Sequence, residues 1–280
     1  MTSHILGVIS ALASAMSWGA GDFTGGVATR VQNQFQVLYV SAVPGIIVLA
    51  ILALILGEAV PARIDVFWAL CAGVCGAFGI AALYKGLSMG NAATVAPVAA
   101  VIGAGLPVIF SCIHIGVPGL LHMIGFISAI FGIWLVSRPV DGKAGADSFS
   151  LLMAVIAGTG FGFFFILIAQ VRDGYVFGPL VITKGVAVII ALILIFIQRG
   201  KVPSLDSNPV AVYAGLFDAG GNVFFMIAKQ FTRLDVAAVL ASMYPCATII
   251  LACLINKEKV SVLQWQGVVL CLTAIALIGI

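Results

Sequence analysis

Residues 91–107 read NAATVAPVAAVIGAGLP, and residues 235–251 read DVAAVLASMYPCATIIL. The second stretch repeats the first after 144 positions, with Asp235 in the place of Asn91. Both stretches are apolar, so the repeat indicates a duplicated membrane-spanning unit. Duplicated halves of this kind are typical of secondary transporters, in which the substrate site lies where the two halves meet.

Composition places the chain in a membrane. Of its 280 residues, 62% are hydrophobic and 8% are charged, whereas a soluble domain carries roughly 25% charged residues. Apolar runs of about 20 residues recur along the chain, and each is long enough to cross the hydrocarbon core of a bilayer. The net charge is only +3 and the basic residues form no stripe, which argues against a nucleic-acid partner.

Hydropathy and breaker residues predict an all-α fold: a polytopic membrane protein with ten transmembrane helices in two inverted five-helix repeats. We expect the first repeat over residues 1–140, a polar linker over 141–148 and the second repeat over 149–280. Because each repeat has an odd number of spans, the second must cross the membrane in the opposite sense to the first. The spans are predicted at residues 4–28, 34–57, 65–88, 91–113, 119–137, 149–171, 178–198, 209–229, 235–256 and 262–280.

Ionisable side chains inside a span are costly in lipid, so each one is a functional candidate. Asp218 lies near the middle of the eighth span, and Asn222 follows one helical turn later on the same face. Lys184 lies about two turns into the seventh span. One hypothesis is that Asp218 binds a coupling proton or a cationic substrate group while Asn222 hydrogen-bonds the ligand. The alternative is a buried ion pair between Asp218 and Lys184 that only locks helices together.

Two residues of the first span are further candidates. Trp18 lies inside the span rather than in an interfacial aromatic belt, so it either stacks on the substrate or packs against other helices. Asp22 follows one turn later and either binds a ligand or caps the end of the span. Phenylalanines cluster at positions 161 and 163–165 and again at 217, 224 and 225. Consecutive rings cover several helix faces, and most of them are therefore expected to face lipid.

Prolines predict helix breaks in the two repeated stretches. Pro97 and Pro107 fall in the fourth span, and Pro245 falls in the ninth. Proline removes a hydrogen bond from the helix ladder, and freed backbone groups at membrane depth must face protein or a water-filled cavity. The fourth and ninth spans are therefore expected to line the interior, with Ser242 and Tyr244 as ligand-binding candidates. A static kink that only aids packing is the alternative.

The paired charges of the seventh and eighth spans are not repeated in the first half. We therefore expect the substrate and coupling chemistry to depend mainly on the second repeat. The aligned pairs are Trp18 with Phe161 at an offset of 143, and Val74 with Asp218 and Phe78 with Asn222 at an offset of 144.

Motifs in both halves carry a resemblance to a known family. They are Ser17-Trp18-Gly19 followed by Asp22-Phe23 and Gly25-Gly26, the stretch from Tyr84-Lys85-Gly86 to Pro97, and the stretch from Asp235 through Tyr244-Pro245 to Lys257-Glu258-Lys259. With these motifs the chain resembles the EamA-type members of the drug/metabolite transporter superfamily over nearly its full length. The resemblance implies ten helices in two inverted repeats and transport of small metabolites without ATP. Many relatives carry a Gly-Glu pair at the end of the fourth span, whereas residues 111–116 here read SCIHIG.

These features predict a secondary active transporter that moves an amino acid-like, sugar-like or drug-like metabolite across the plasma (inner) membrane by alternating access. A coupling proton or ion is a further candidate partner, whereas no cofactor, metal or nucleic acid is expected, and the sequence does not fix the oligomeric state. Enzyme activity is not expected; an intramembrane enzyme and a channel are the alternatives. Loops after odd-numbered spans carry eight Lys or Arg residues against four after even-numbered spans, which favours termini on the outside.

Overall fold

The computed structural model describes residues 2–88, 92–136, 148–248, 251 and 261–278. These residues are helical apart from turns and short connections, and the described part of the chain contains no β-strand. After α9 and a turn at Ser242 and Met243, the chain is helical again over residues 244–248. The helices are α1 (Thr2–Ala28), α2 (Gln34–Ile55), α3 (Arg63–Ser88), α4 (Ala92–His114), α5 (Leu120–Val136), α6 (Ser148–Ile168), α7 (Phe177–Ile197), α8 (Pro209–Phe231), α9 (Leu234–Ala241) and α10 (Val262–Ile278).

Within the described part of the chain, six helices are long and apolar enough to cross a membrane, namely α1, α2, α3, α6, α7 and α8. Shorter apolar helices cover Val98–His114, Leu120–Leu135 and Leu234–Thr248. The described helices begin and end within a few residues of the predicted spans, except that a turn at Ser242 and Met243 interrupts the ninth span after α9. The count of ten spans stays a prediction. The predicted linker at 141–148 lies outside the described residues, except for Ser148.

The outer surface is apolar. Leu54 is 82% exposed, Ile197 is 70% exposed and Leu120 is 77% exposed, and many other large apolar side chains are exposed along the same helices. A soluble protein does not expose apolar surface on this scale, whereas lipid tails cover it without cost. The surface therefore fits a multi-pass membrane protein.

The repeated stretch that begins at Asp235 lies in the interior. Every residue of α9 is buried, and α9 packs against α1 and α4. The carboxylate of Asp235 is buried and is paired with Arg233 Nη2 at 2.9 Å, while Arg233 Nη2 also donates to the carbonyl of Gly116 at 2.9 Å. The only acidic side chain of α9 is thus neutralised where the chain enters the helix.

The most extensive helix contacts join the two halves of the chain: α1 with α8, α3 with α6, α5 with α10, α4 with α6 and α2 with α7. Smaller contacts join α3 with α7, α2 with α8 and α4 with α9. Exchanging each helix for its counterpart in the other half turns the α1–α8 contact into the α6–α3 contact. The same exchange leaves the α2–α7, α4–α9 and α5–α10 contacts unchanged. The packing is therefore that of two equivalent and interlocked halves.

Close backbone approaches repeat in the same way. A methyl group on Gly215 in α8 would overlap the carbonyl of Ser41 in α2 and lie 2.7 Å from its Cα atom. A methyl group on Gly73 in α3 would lie 3.0 Å from the Cα atom of Thr183 in α7. Gly215 lies 142 positions after Gly73, and Thr183 lies 142 positions after Ser41, so the two contacts are equivalent. Small residues let helix backbones approach this closely in a membrane, and here they do so at equivalent places.

Aromatic contacts also indicate an offset of 142 between α3 and α8. A methyl group on Gly221 would lie 2.5 Å from the Trp18 ring, and one on Gly79 would lie 2.9 Å from the Phe161 ring. Gly79 and Gly221 are 142 positions apart, so α3 and α8 correspond at an offset of 142 rather than 144. Small apolar residues resemble one another at many registers, and the sequence alignment slipped by two positions for that reason.

The slip changes which residues correspond to the polar positions of α8. The predicted counterparts Val74 and Phe78 are wrong, since these side chains are 43% and 49% exposed and lie on the outer surface. At the offset given by the contacts, Asp218 corresponds to Gly76 and Asn222 corresponds to Ile80.

Prolines interrupt the helices less than expected. The breaks expected at Pro97 and Pro107 are wrong, because α4 is a continuous helix through both positions. The loss of one hydrogen bond at each proline leaves the neighbouring bonds of the helix to hold it together. In the second half, α9 ends at Ala241, four residues before Pro245, whose ring would clash with the carbonyl at that position. Pro245 lies instead in the first turn of the next helical segment, where its missing N–H group costs little.

A charged clamp joins the connection between α2 and α3 to the connection between α6 and α7. The buried carboxylate of Asp65 accepts hydrogen bonds from Arg172 Nη2 at 2.6 Å and from the Arg172 backbone N–H at 3.1 Å. The carboxylate of Glu58 accepts the N–H groups of residues 176–178 at 2.6–2.9 Å. An anion is favourable there because these groups form the positive end of α7.

The equivalent connections at the other end of α2 are held by neutral groups. Asn208 lies 143 positions after Asp65, and its Nδ2 donates to the carbonyl of Ala28 at 3.1 Å and to Gln32 Oε1 at 3.3 Å. Gln36 Nε2 donates to the carbonyl of Lys201 at 2.9 Å. Equivalent connections are therefore tied together at both ends, by charged groups at one end and mainly by amides at the other.

The contact at Gly215 generates a prediction about stability. Gly215→Ala places a methyl group against the backbone of Ser41, which cannot move aside like a flexible side chain. We expect the substitution to destabilise the protein by about 1–3 kcal/mol, measured as a lower midpoint of thermal unfolding in detergent. The matched control is Gly185→Ala in α7, where no atom lies within 4 Å of the added group. An equal effect of both substitutions would contradict the close packing of α2 on α8.

Candidate functional site

A cavity lies between the two halves. Its empty volume is about 790 Å³, including the part that opens to solvent. The walls come from α1, α2, α3, α4, α6, α7 and α8 and from the turn after α9. A cavity enclosed by both halves is where a transporter of duplicated architecture holds its substrate.

The structure brings all seven of the predicted site residues together around this cavity. Their role in binding a substrate or a proton stays a prediction, because no ligand is present. The residues are Trp18, Asp22, Lys184, Asp218, Asn222, Ser242 and Tyr244.

An ion pair crosses the cavity wall between α7 and α8. The ammonium group of Lys184 contacts Asp218 Oδ2, and both side chains are largely buried, at 8% and 18% exposure. Asn222 Nδ2 donates to Asp218 Oδ1 at 3.1 Å and to the Asp218 carbonyl at 2.6 Å. Asp218 is therefore already neutralised and hydrogen-bonded within the protein, as the alternative interpretation of the sequence held.

Asp22 is the carboxylate of the cavity that lacks a protein partner. Within the described part of the chain it accepts no hydrogen bond and forms no ion pair. It lies six residues before the end of α1 and lines the cavity, so the structure does not favour a capping role. Asp218, Tyr84 and Tyr244 are its electrostatic neighbours. A carboxylate in this setting is costly while charged and alone, and it is stabilised by a proton or a cation.

Aromatic rings form one wall of the cavity. Trp18 lies with its ring centroid 5.5 Å from that of Phe165 and 5.9 Å from that of Phe225. Phe165 also stacks on Phe225 at 4.7 Å. The expectation that the clustered phenylalanines face lipid is wrong for Phe161, Phe164 and Phe165, which line the cavity, and for Phe225, which is fully buried. Phe217 and Phe224 are each 39% exposed. Phe163, at 46% exposure, does lie on the outer surface.

The turn after α9 contributes two hydroxyl groups. Ser242 is 1% exposed, and its Oγ has no hydrogen-bond partner among the described residues. The Tyr244 hydroxyl lies 3.5 Å from the carbonyl of Ala96, which is too long for a strong hydrogen bond. An unpaired buried hydroxyl is costly unless something completes its hydrogen bonding. The Ser242 hydroxyl therefore has unused hydrogen-bonding capacity at the cavity, and the Tyr244 hydroxyl is only weakly engaged.

The lining residues correspond between the halves in position but not in chemistry. At the register given by the helix contacts, apolar side chains of the first half stand where the second half has its ion pair and amide. Conversely, a phenylalanine of the second half stands where the first half has its free carboxylate. The corresponding pairs are Trp18 with Phe161, Asp22 with Phe165, Ala42 with Lys184, Gly76 with Asp218, and Ile80 with Asn222.

Sequence reasoning missed the small residues that create the space. Gly73, Ala77, Ala99 and Gly103 line the cavity, and nothing in an apolar span distinguishes such residues from those that only pack helices. The buried phenylalanines were detectable as a cluster, but their orientation was not. In the described part of the chain, no group of His, Cys, Asp and Glu side chains is arranged to hold a metal ion.

Comparisons with known proteins agree with this architecture. The model of the EamA-like transporter family matches residues 5–138 and again residues 148–280. An uncharacterized protein of Haemophilus influenzae is 27% identical over 159 residues, which are 55% of this chain and 54% of that protein. The match thus spans about half the length of that curated relative.

A solved crystal structure shares the fold. It superposes with a TM-score of 0.76 at 15% sequence identity and covers 97% of this chain and 95% of its own. The two consecutive family matches account for nearly all of the sequence, and they divide it where the packing divides the helices into equivalent halves. The chain therefore belongs to the EamA-like transporter family.

Proposed function

We propose that the chain is a secondary active transporter that carries a small metabolite across the plasma membrane through the cavity between its halves. The observation that supports this most directly is the convergence of Trp18 and Asp22 from the first half with Lys184, Asp218 and Asn222 from the second on one cavity. A site built from both halves changes its exposure when the halves move relative to each other. Alternating access of one site is the mechanism that this arrangement supports.

The proposed architecture is ten transmembrane helices in two inverted five-helix repeats. The exchange of equivalent helix contacts supports a two-fold relation between the halves, and an odd number of spans in each half makes that relation inverted. In such an arrangement, access to the cavity from one end of the molecule alternates with access from the other end. The clamp at Asp65 and Arg172 and the clamp at Asn208 and Gln32 occupy equivalent connections, so opening one end means releasing one of them.

Asp22 is the proposed site of coupling to a proton or another cation. The Lys184 and Asp218 charges cancel each other, whereas Asp22 has no such partner among the described residues. The titratable and charged groups that face Asp22 are Asp218 on α8, Tyr84 on α3 and Tyr244 after α9. None of these is a cation, and Lys184, the basic side chain of the described lining, is engaged by Asp218. A proton or a ligand is therefore the proposed source of the neutralising charge.

Counterflow in proteoliposomes tests the proposed function. The purified protein is reconstituted with each of a panel of organic amines, amino acids and sugars inside, and uptake of the labelled compound is measured. We expect exchange of at least one compound without ATP. Conductance without saturation would instead indicate a channel, and conversion of the compound would indicate an enzyme.

The carboxylate of Asp22 generates a prediction about exchange. Asp22→Asn removes the free charge but keeps the size, and we expect at least an about tenfold loss of exchange, equivalent to about 1.4 kcal/mol. Wild-type exchange should also slow as the pH falls, because protons then occupy Asp22, and the variant should lose this dependence. The matched control is Asp206→Asn, since Asp206 is exposed and lies outside the cavity. Normal exchange with an unchanged pH profile in Asp22→Asn would refute this role.

The ion pair between Lys184 and Asp218 generates a prediction about stability and exchange. Lys184→Met leaves Asp218 as an unpaired buried carboxylate, and breaking such a pair costs about 3–5 kcal/mol. The double variant Lys184→Met with Asp218→Asn removes both charges together, so it should recover most of the lost stability and, because the net charge of the cavity is unchanged, exchange as well. Thermal unfolding and counterflow of the single and double variants measure this. A stable double variant without exchange would show that the pair itself contacts the substrate.

A further inference from the structure

The cavity has a charge and a wall composition that select a chemical class of ligand. We infer that it takes a monovalent organic ammonium ion with an aromatic or branched apolar body. This inference rests on the proposed function and deepens it by naming the substrate class.

The charge of the lining is one unit negative when its groups are ionised. Among the described lining residues, Asp22 and Asp218 are acidic and Lys184 is basic. Since Lys184 contacts Asp218, the charge that remains belongs to Asp22. A charge that is removed from water requires a compensating charge nearby, and a monovalent cation supplies it, whereas an anion would double the imbalance.

A zwitterion meets a different obstacle. Its carboxylate requires a free cation or a set of hydrogen-bond donors. The described lining offers Lys184 as its basic side chain, and that ammonium is engaged by Asp218. The amide of Asn222 is likewise engaged by Asp218. An amino acid would therefore bury an uncompensated carboxylate, so we expect the site to discriminate against it.

The walls favour an apolar body behind the charge. Trp18, Phe161, Phe164 and Phe165 contribute ring surface, and alanine and glycine residues of α3 and α4 leave the space open. Aromatic rings attract a cation through their negative faces, and a ring that faces a desolvated site does so most strongly. A sugar, by contrast, would leave most of its hydroxyl groups without partners against such a surface.

Ser242 refines the headgroup. Its hydroxyl is buried and unpaired, and it lines the same cavity as Asp22. Both groups accept hydrogen bonds, so an ammonium group that carries N–H donors satisfies both of them. A quaternary ammonium ion would neutralise Asp22 but leave Ser242 without a partner. A primary amine is therefore the expected headgroup.

Isothermal titration calorimetry on the full chain in detergent at neutral pH tests the inference. The probes are phenethylammonium, its N-trimethylated form, phenethyl alcohol, phenylpropionate and L-phenylalanine, which share one ring and differ in charge. We expect phenethylammonium to bind most tightly and the trimethylated form several-fold more weakly. Phenylpropionate and L-phenylalanine should bind at least about tenfold more weakly than phenethylammonium, because they place a carboxylate beside Asp22. Equal or tighter binding of either carboxylate would overturn the inference.

Variants assign the binding to the proposed groups. Asp22→Asn should weaken phenethylammonium binding at least about tenfold, and Asp22→Glu should retain most of it because the charge is kept. Ser242→Ala should weaken phenethylammonium but not its trimethylated form. Asp206→Asn is the matched control and should bind as the wild type does. If Asp22→Asn or Asp22→Glu fails to fold, Ser242→Ala and the comparison of the probes still decide the question.

Counterflow separates this inference from the proposed function. Exchange of phenethylammonium, lost in Asp22→Asn, supports both. Exchange of amino acids or sugars but not of phenethylammonium keeps the transporter and overturns the ligand class. Binding of phenethylammonium without exchange of any compound in the panel keeps the ligand class and contradicts transport.

Discussion

The neutralisation of Asp218 by Lys184 is the interaction that sets the net charge of the cavity. A single charge buried among membrane helices is costly, whereas two opposite charges in contact are tolerated. The pair joins α7 to α8, and Asn222 fixes the carboxylate in place. Because this pair is internally neutral, the remaining carboxylate at Asp22 determines the net charge of the cavity. The proposed coupling and the proposed ligand class both follow from that charge.

The scaffold is symmetric while its chemistry is not. Gly73 and Gly215 make equivalent backbone contacts at an offset of 142, yet Asp218 stands where the first half has Gly76. The clamps show the same division, since an ion pair at Asp65 holds one pair of connections and neutral hydrogen bonds of Asn208 hold the equivalent pair. The two halves are thus equivalent in packing, whereas one carries the ion pair and the other carries Asp22.

Much of the fold was predictable from the sequence, because membrane helices must be long and apolar and their breaks are polar. The seven polar and aromatic candidates were also predictable, since the cost of such groups in lipid marks them individually. The partners and orientations of the side chains were not predictable. The carboxylate without a partner among the described residues is Asp22 rather than Asp218, and Phe161, Phe164 and Phe165 face the cavity. The helix breaks predicted at Pro97 and Pro107 were wrong because one lost hydrogen bond does not end a helix. The predicted offset between α3 and α8 was wrong because small apolar residues align almost equally well at several offsets.

Alternating access requires that the one cavity between the halves is reached from either side of the membrane. Ser242→Cys in a variant that lacks the native cysteines places a thiol in the cavity, where a membrane-impermeant methanethiosulfonate reagent can report its exposure. We predict that the reagent modifies this thiol when added to either side of oriented vesicles, and that an exchanged substrate slows the modification from both sides. Modification from one side only, or from both sides at rates that the substrate does not change, would contradict the account.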